Sequence, residues 1–399
     1  MKIRKVVGRV LLAAVLLYVA WMGWQILRFK RYESALPSPS GTASPGTPKI
    51  NTASPSTVTS GNPKVDIASS GAPAVYEIEG AYHMHSRFSD GRKTVDEIAR
   101  VAAEAGLDFI IFTDHGKPNF ESLDAQGRKD GVLVLAGSEL SVSRGHLVAL
   151  DFDRPESGRV FSQNAENAVG EVRALGGFTV IAHPYAKTRW SWGELVEYAG
   201  LELLNGDSLI KQNVLAHLAY YPALLVKPTF ALLKMIEPPA AELGKWDQLL
   251  ARRPGRPMLG FYSVDAHFMY AAVFPLFHLH VLLDAPPAAD FETARRQIFA
   301  ALREGRFYSA VDGAAAARGF RVRREGPALR VSAPFSFAHE TVIIHDGRVI
   351  HRTRENEFAV ALAGPGVYRA EVYLRERTPL DGGVPWIAAN PIAIGKDDR

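Results

Sequence analysis

The chain has 399 residues, 47% of them hydrophobic, and a formal net charge of +4. That length can bury a large core and sets a prior of two or three domains, while so mild a charge gives no argument for nucleic-acid binding. There is no cysteine, so disulfides, thiolate metal sites and cysteine nucleophiles are excluded. Any metal must be held by imidazole and carboxylate, which suits Zn²⁺, Mn²⁺ or Fe²⁺.

Residues 1–31 read as a membrane anchor. Lys2, Arg4, Lys5 and Arg9 precede an uncharged run from Val10 to Leu27, and Arg28, Lys30 and Arg31 close it. A helix over that run covers about 27 Å, close to the hydrocarbon thickness of a bilayer. Trp21 and Trp24 sit near its far end, where an aromatic belt belongs. A cleaved signal peptide is the rival reading, but no small-residue cleavage site directly follows the run. The basic residues lean weakly toward an N-terminus inside. That puts the rest of the chain on the outer, periplasmic or extracellular side, with a cytoplasmic domain as the alternative. Residues 32–73, rich in Ser, Thr, Pro and Gly from residue 34 on, bury too little surface to fold and read as a flexible linker.

From residue 74 strand and helix signals alternate. Strands are expected at Val75–Tyr82, Phe109–Phe112, Val132–Leu135, His146–Asp151, Phe178–Ala182, Leu201–Leu204 and Met258–Tyr262. Thr94–Ala105 reads as a helix ended by Gly106. Repeated βα units of this kind form a parallel sheet or a barrel. From residue 316 onward no helix of substance is expected. Thr341–His345, the turn Asp346-Gly347 and Arg348–His351 read as a hairpin, and Val367–Leu374 as another strand. The expectation is an α/β barrel over 74–315 and a small all-β, sandwich-like domain over 316–399.

Residues with metal-ligating side chains recur just after the apolar runs. They are His83 and His85, then Asp90, His115, Glu139, His146, His183, Asp265 and His267. Ligands scattered along a chain, each at a strand end, are what a barrel active site needs. The pattern points to a polynuclear metal centre and a hydrolytic enzyme. His278 and His280 form a second HxH pair, on one face of a strand, that matches no motif. His217, His339, His345 and His351 read as surface or packing residues. No P-loop and no Ser-His-Asp arrangement is evident.

Together these residues resemble the PHP (polymerase and histidinol phosphatase) domain. The matching motifs are His83-Met84-His85 with Ser89-Asp90-Gly91, Thr113-Asp114-His115, Gly137-Ser138-Glu139, Gly145-His146-Leu147, Ala182-His183-Pro184 and Asp265-Ala266-His267. The resemblance covers residues 76 to about 312. It implies a distorted (β/α)7 barrel that binds two or three divalent metal ions and acts as a phosphoesterase. It also implies a division of the ligands. His83, His85, Glu139 and Asp265 would form one site, and His115, His146 and the bridging Glu139 a second. Asp90, His183 and His267 would complete a third or orient the other ligands. Glu139, Asp114 and His183 are then the expected catalytic residues, Asp114 as an orienting group beside His115. Trp246-Asp247-Gln248-Leu249-Leu250, Ala301 to Arg306, and Pro385-Trp386-Ile387 with Asn390-Pro391-Ile392 resemble the narrower CehA/McbA type. Some of its members are named for carbamate ester hydrolysis.

Basic side chains cluster in the same loops. Arg87, Arg92, Lys117, Arg144, Lys187 and Arg189 all lie within a few residues of a proposed ligand. Solvated loop charge is the plain reading; a positive mouth that draws in an anion is the sharper one. Arg87, Lys117, Arg144, Lys187 and Arg189 are accordingly the candidates for binding a small anionic, phosphorylated substrate. Val214 to Ile236 is rich in Leu, Tyr and Phe but interrupted by Pro222 and Pro228, which argues against one straight membrane helix. It reads as a helical insertion packed on the barrel, or as an amphipathic lid touching the bilayer or an apolar substrate portion. Three functions stay open: a phosphoesterase for a small phosphorylated molecule, nucleotide or nucleic-acid end; a carboxylic or carbamate ester hydrolase; and a tethered metal-binding module without turnover. No protein partner is evident.

Overall fold

The computed structural model describes residues 2–33, 75–156, 160–187, 189–193, 198–253 and 258–395; the expected linker, from residue 34 to 73, lies outside them. In chain order the first strands are β1 (Tyr76–Tyr82), β2 (Phe109–Phe112), β3 (Gly127–Lys129), β4 (Val132–Ala136), β5 (Ser138–Val142), β6 (Gly145–Leu150), β7 (Phe178–Ile181), β8 (Gly200–Asn205) and β9 (Leu259–Ser263). Then come β10 (His278–Leu283), β11 (Phe307–Ala310), β12 (Arg321–Glu325), β13 (Ala328–Ser332), β14 (His339–His345), β15 (Arg348–Thr353), β16 (Glu357–Ala361), β17 (Gly366–Leu374), β18 (Ile387–Ala389) and β19 (Ile392–Ile394). The apolar runs become strands because they are buried on both faces: every residue of β2, β4 and β7 is buried.

One sheet follows the order β15-β14-β17-β18-β11-β10-β1-β2-β4-β3, with β19 beside β17; a second runs β5-β6-β7-β8-β9. β1, β2 and β4 are parallel, as are β7, β8 and β9. Isolated bridges at Met84–Ala266 and His115–Glu139 lace the two sheets together at the carboxyl ends of these strands. The helix expected from Thr94 to Ala105 runs Val95–Glu104. Thr94 and Glu97 form a capping box at its start, and Gly106, at φ +77°, leaves its end.

The fold is mixed α/β, but its strands are not all parallel. β6 runs antiparallel to β5 and β7, and β10 antiparallel to β1 and β11. Only Ser143 and Arg144 separate β5 from β6, too few residues for a crossover helix, so the chain must turn back as a hairpin. Of the C-terminal strands, β14, β15, β17, β18 and β19 continue the first sheet, because β18 pairs with both β11 and β17, while β12, β13 and β16 form a sheet of their own. Ala315, Ala317, Phe320 and Trp386 belong to one core, so packing runs on across residue 315. No helix follows Arg303 among the described residues.

A buried ionic network sits under β1 and β10. The His280 Nδ1 is 2.8 Å from Glu77 Oε1 and its Nε2 is 2.9 Å from Asp312 Oδ2. Arg318 donates to Glu79 at 2.6 Å and Arg321 to Glu77 at 2.7 Å. From the N-terminal side, Arg31 Nε donates to the Asp312 carbonyl at 2.6 Å. Burial disfavours charge on Glu77, but Arg321, His280 and Arg318 bring its pKa down to about 2. Burial likewise opposes charge on His280, yet Asp312, Glu79 and Glu77 raise its pKa to about 10. The network ties β1 and β10 to the C-terminal part.

A raised imidazole pKa stabilises a fold fully below the unfolded value, roughly 6.5. That contribution fades as pH rises through the folded value of about 10. The stability gap between wild type and His280→Gln is therefore expected to be widest below about pH 6.5 and to narrow toward high pH. Denaturant unfolding of both proteins across that range checks it. A gap independent of pH would mean that His280 is neutral in the folded state.

Candidate metal centre

The carboxyl ends of β1, β7 and β9 share a backbone feature. His83, His183 and Asp265 follow these strands with φ of 67°, 27° and 44°. Side chains other than glycine rarely adopt that left-handed region, at a cost of about 1–3 kcal/mol each, and such residues gather at functional sites. The twist turns each side chain out of its strand and into one pocket. Gly91 serves the same end. A Cβ there would lie 2.2 Å from the His85 carbonyl oxygen, so the tight loop that carries Asp90 back over His85 requires glycine.

The pocket centres on the buried carboxylate of Glu139, in β5. Its Oε1 is 2.7 Å from His146 Nδ1 and 3.0 Å from His183 Nε2. Its Oε2 is 3.2 Å from His83 Nε2, 3.2 Å from His85 Nε2 and 3.5 Å from His115 Nδ1. Each oxygen thus faces its own set of imidazoles, the arrangement of a bridging carboxylate. Asp265 Oδ1 lies 3.4 Å from both His83 Nε2 and His85 Nε2 and 3.7 Å from His267 Nδ1. At the half-exposed rim, Asp90 Oδ2 is 3.2 Å from His267 Nε2 and 3.8 Å from His115 Nε2. The nine side chains singled out in the sequence therefore meet in one place.

In the pocket three groups of donor atoms are compact enough to hold an ion: His83, His85 and Asp265; His83, Glu139 and His183; and His85, Asp90, His115 and His267; a fourth, Glu79, His278, His280 and Asp312, lies in the ionic network under β1. This grouping differs from the division the resemblance implies. His183 joins His83 through Glu139, and Asp90 joins His85 and His115, because the loop after His85 folds back across the mouth. The donor set fits metal ions on a further observation. His85 Nε2, His115 Nδ1, His183 Nδ1 and Asp265 Oδ1 are all buried without a hydrogen-bond partner. A native interior rarely leaves such atoms unsatisfied.

The buried imidazoles and carboxylates of the pocket shift one another's titration. Burial opposes the charge on His83, but Asp265, Glu202 and Glu139 raise its pKa well above the usual imidazole range. Against the same opposition, Asp265 and Glu139 raise His85 to about 9. Burial disfavours ionised Glu139, yet His83, His146 and His183 hold its pKa well below the carboxylate range. His115 is pushed down, first by burial. Protons on these imidazoles neutralise the carboxylates, and divalent ions would displace them.

Sequence reasoning passed over Glu202, which the structure shows to be a principal orienting group. Buried in β8, its Oε1 is 2.6 Å from His83 Nδ1, and its Oε2 accepts from the His183 amide at 2.9 Å. Asn205 Nδ2 donates to Glu202 Oε2 at 3.0 Å and to Asp265 Oδ2 at 2.9 Å. The signal was a lone acid in the apolar run Gly200–Asn205. Asp114 is buried but does not hold His115. It accepts from Ser86 N at 2.6 Å, Ser86 Oγ at 2.8 Å and Ser89 Oγ at 2.7 Å, fixing the loop between His85 and Asp90.

The basic candidates separate into two kinds. Arg144 is committed to Glu166 and to the Ser191 carbonyl, and Arg87 to the Arg92 carbonyl at 3.0 Å. Lys187 and Arg189 are exposed, and Lys117 half-buried; among the described residues these three have no ion pair. His278 and His280 lie apart from the pocket, in the ionic network under β1 with Glu79 and Asp312.

Groups that orient metal-binding imidazoles are typically worth 10- to 100-fold in affinity. Glu202→Gln, which keeps the shape but loses the charge facing His83 Nδ1, is expected to weaken Zn²⁺ or Mn²⁺ binding by roughly that factor. Metal titration against a competing chelator measures it; unchanged affinity would mean that Glu202 serves packing alone.

Residues 81–229 match the PHP domain model. Over 149 residues the chain is 29% identical to phosphoribosyl 1,2-cyclic phosphate 1,2-diphosphodiesterase from Eggerthella lenta, a match spanning 35% of this chain and 54% of that protein. Among solved structures, a two-domain protein from Bacteroides vulgatus containing a predicted PHP-like metal-dependent phosphoesterase covers 82% of this chain and 97% of its own, at 14% identity and a TM-score of 0.41. An amidohydrolase from Chromobacterium violaceum with bound sulfate covers 57% of this chain and 96% of its own, at 17% identity and a TM-score of 0.34. The segment that matches the PHP domain model supplies His83, His85, Asp90, His115, Glu139, His146 and His183.

Proposed function

We propose that this protein is a metal-dependent phosphoesterase of the PHP type, held at a membrane by its N-terminal helix. The observation that carries the reading is the Glu139 carboxylate, with imidazoles on both oxygens and unpartnered donor atoms around it. His83, His85, Asp265 and Glu139 would hold one ion, with His115, His146, His183, Asp90 and His267 completing one or two more. When bound, such divalent ions supply a hydroxide at neutral pH and neutralise charge on a phosphoryl oxygen. Glu202 and Asn205 fix the ligands' orientation, and Asp114 fixes the loop that closes over them. Lys117, Lys187 and Arg189 are the cations left to receive the substrate's anionic group; Arg144 is engaged elsewhere. The similarity to a cyclic-phosphate diphosphodiesterase favours a small phosphorylated substrate over a neutral ester.

The anchor rests on Val6–Leu27, a 22-residue span of mean hydropathy 2.0. The lower end of this helix is also part of the fold: Met22 is buried against Ala223, Phe230 and Ala231. A leader destined for removal has no need of such packing, so the helix reads as retained, with the catalytic part on the outer side.

Two outcomes test the reading. The Mn²⁺- or Zn²⁺-loaded protein should hydrolyse a phosphomonoester or phosphodiester, and Glu139→Gln should abolish turnover while the folded state persists. Turnover of neutral aryl or carbamate esters with no phosphoester hydrolysis would overturn it. Lys187→Ala and Arg189→Ala should raise KM with kcat nearly unchanged. A lost charge-assisted contact is worth about 1.5–3 kcal/mol, so the rise should be roughly ten- to a hundredfold. Variants indistinguishable from wild type would make these loops solvent-facing only.

A further inference from the structure

The insertion between β8 and β9 exposes side chains that a water-facing surface does not favour. Leu215 is 88% exposed, Leu218 62%, Leu225 91% and Val226 72%. They lie on the short helix Val214–His217, the single 3-10 turn Tyr221–Leu225 and the residues around them. Contiguous exposed apolar surface on a folded protein marks a contact site.

The position of this segment says what covers it. It is packed against the N-terminal helix. The Tyr18 hydroxyl donates to the Ala219 carbonyl at 2.6 Å. Met22 and Ile26 pack with Ala223, Phe230 and Leu224, and the Phe29 ring lies 5.9 Å from that of Phe230. Tyr18 lies nine residues before Leu27, the end of the helix, which at 1.5 Å per residue is about 13 Å along its axis. The apolar segment therefore rides beside the last third of the helix, at the level of the exposed Trp21 and Trp24. Below it the charges begin: Arg28 over Trp24, and Lys227 over Phe29. An apolar tier, an aromatic belt and a cationic rim are the sequence of layers met on leaving a bilayer. Pro222 and Pro228 keep the insertion in short pieces, which suits lying in the interface and not crossing it.

We propose that residues 214–226 are a second membrane contact, seated in the interfacial layer of the same leaflet as the end of the N-terminal helix. This rests on the anchor reading given above. The consequence concerns the active site. Within this segment the buried His217, together with the preceding Gln212 and Asn213, lines a pocket whose other wall includes His183, Glu202 and Asn205 of the candidate metal centre. Docking the insertion sets that pocket beside the headgroup layer.

The chain lacks cysteine, so Leu215→Cys and Leu225→Cys each create a single labelling site on an exposed side chain. Each is labelled with an environment-sensitive fluorophore in the full chain and reconstituted into vesicles of phosphatidylcholine and phosphatidylglycerol, with or without nitroxide on the acyl chains. Leu17→Cys in the helix and Val349→Cys in β15 serve as references. The proposal expects blue-shifted emission at positions 215 and 225, with nitroxide quenching comparable to that at position 17 and none at 349. Quenching at 17 with 215 and 225 behaving like 349 would overturn the contact while leaving the anchor intact. No quenching at 17 would overturn the anchor and this inference with it. Shielding at 215 and 225 that depends on protein concentration, without nitroxide quenching, would assign the surface to a second copy of the chain and equally overturn the proposal.

Discussion

Burial of the Glu139 carboxylate is the constraint on which the site depends. A carboxylate taken out of water must be surrounded by positive charge or by donors, or it will not stay ionised. His83, His85, His115, His146 and His183, brought in from different strands and loops, all answer that demand. Meeting it constrains where β1, β2 and β7 end and where β5 and β6 begin. Imidazoles so close to one another repel if all are protonated, and ions of charge +2 resolve both problems at once. The left-handed backbones of His83, His183 and Asp265 are local costs accepted for the same end.

The same logic governs the buried network under β1 and β10. There Glu77, Glu79 and Asp312 have guanidinium partners in Arg318, Arg321 and Arg31, and the His280 imidazole fills the gap between Glu77 and Asp312. Arginine supplies fixed charge and fork geometry, so these carboxylates find counter-charges within the chain, while His278 Nδ1 stays buried without a hydrogen-bond partner. One HxH pair thus faces carboxylates that lack permanent counter-charges, and the other faces carboxylates that have them. The sequence around the two pairs does not reveal this difference, because Arg318, Arg321 and Arg31 lie far along the chain from His278 and His280.

Much of the site was legible because metal ligands must follow strands, and strands buried on both faces announce themselves as apolar runs. The motif around His83 and those at His115, Glu139, His183 and Asp265 stood out for that reason. What local pattern does not carry is strand direction and distant pairing. Nothing in His278–Leu283 says that it runs antiparallel to β1, nor in Ile387–Ala389 that it will join β11. Arg144 looked free beside His146, but Glu166, twenty-two residues on, claims it. Glu202 was hidden by its own company: one acid between leucines reads as strand alternation until its carboxylate is seen pointing at His83.

The central claim is that these side chains form a polynuclear metal centre around Glu139. Anomalous diffraction from crystals of the Mn²⁺- or Zn²⁺-loaded protein tests it most directly. The account predicts two or three peaks in the pocket, at least one within about 2.0–2.3 Å of a Glu139 oxygen and of His83 or His183 nitrogen. A protein with the same fold and no peak beside Glu139 under those conditions would contradict it.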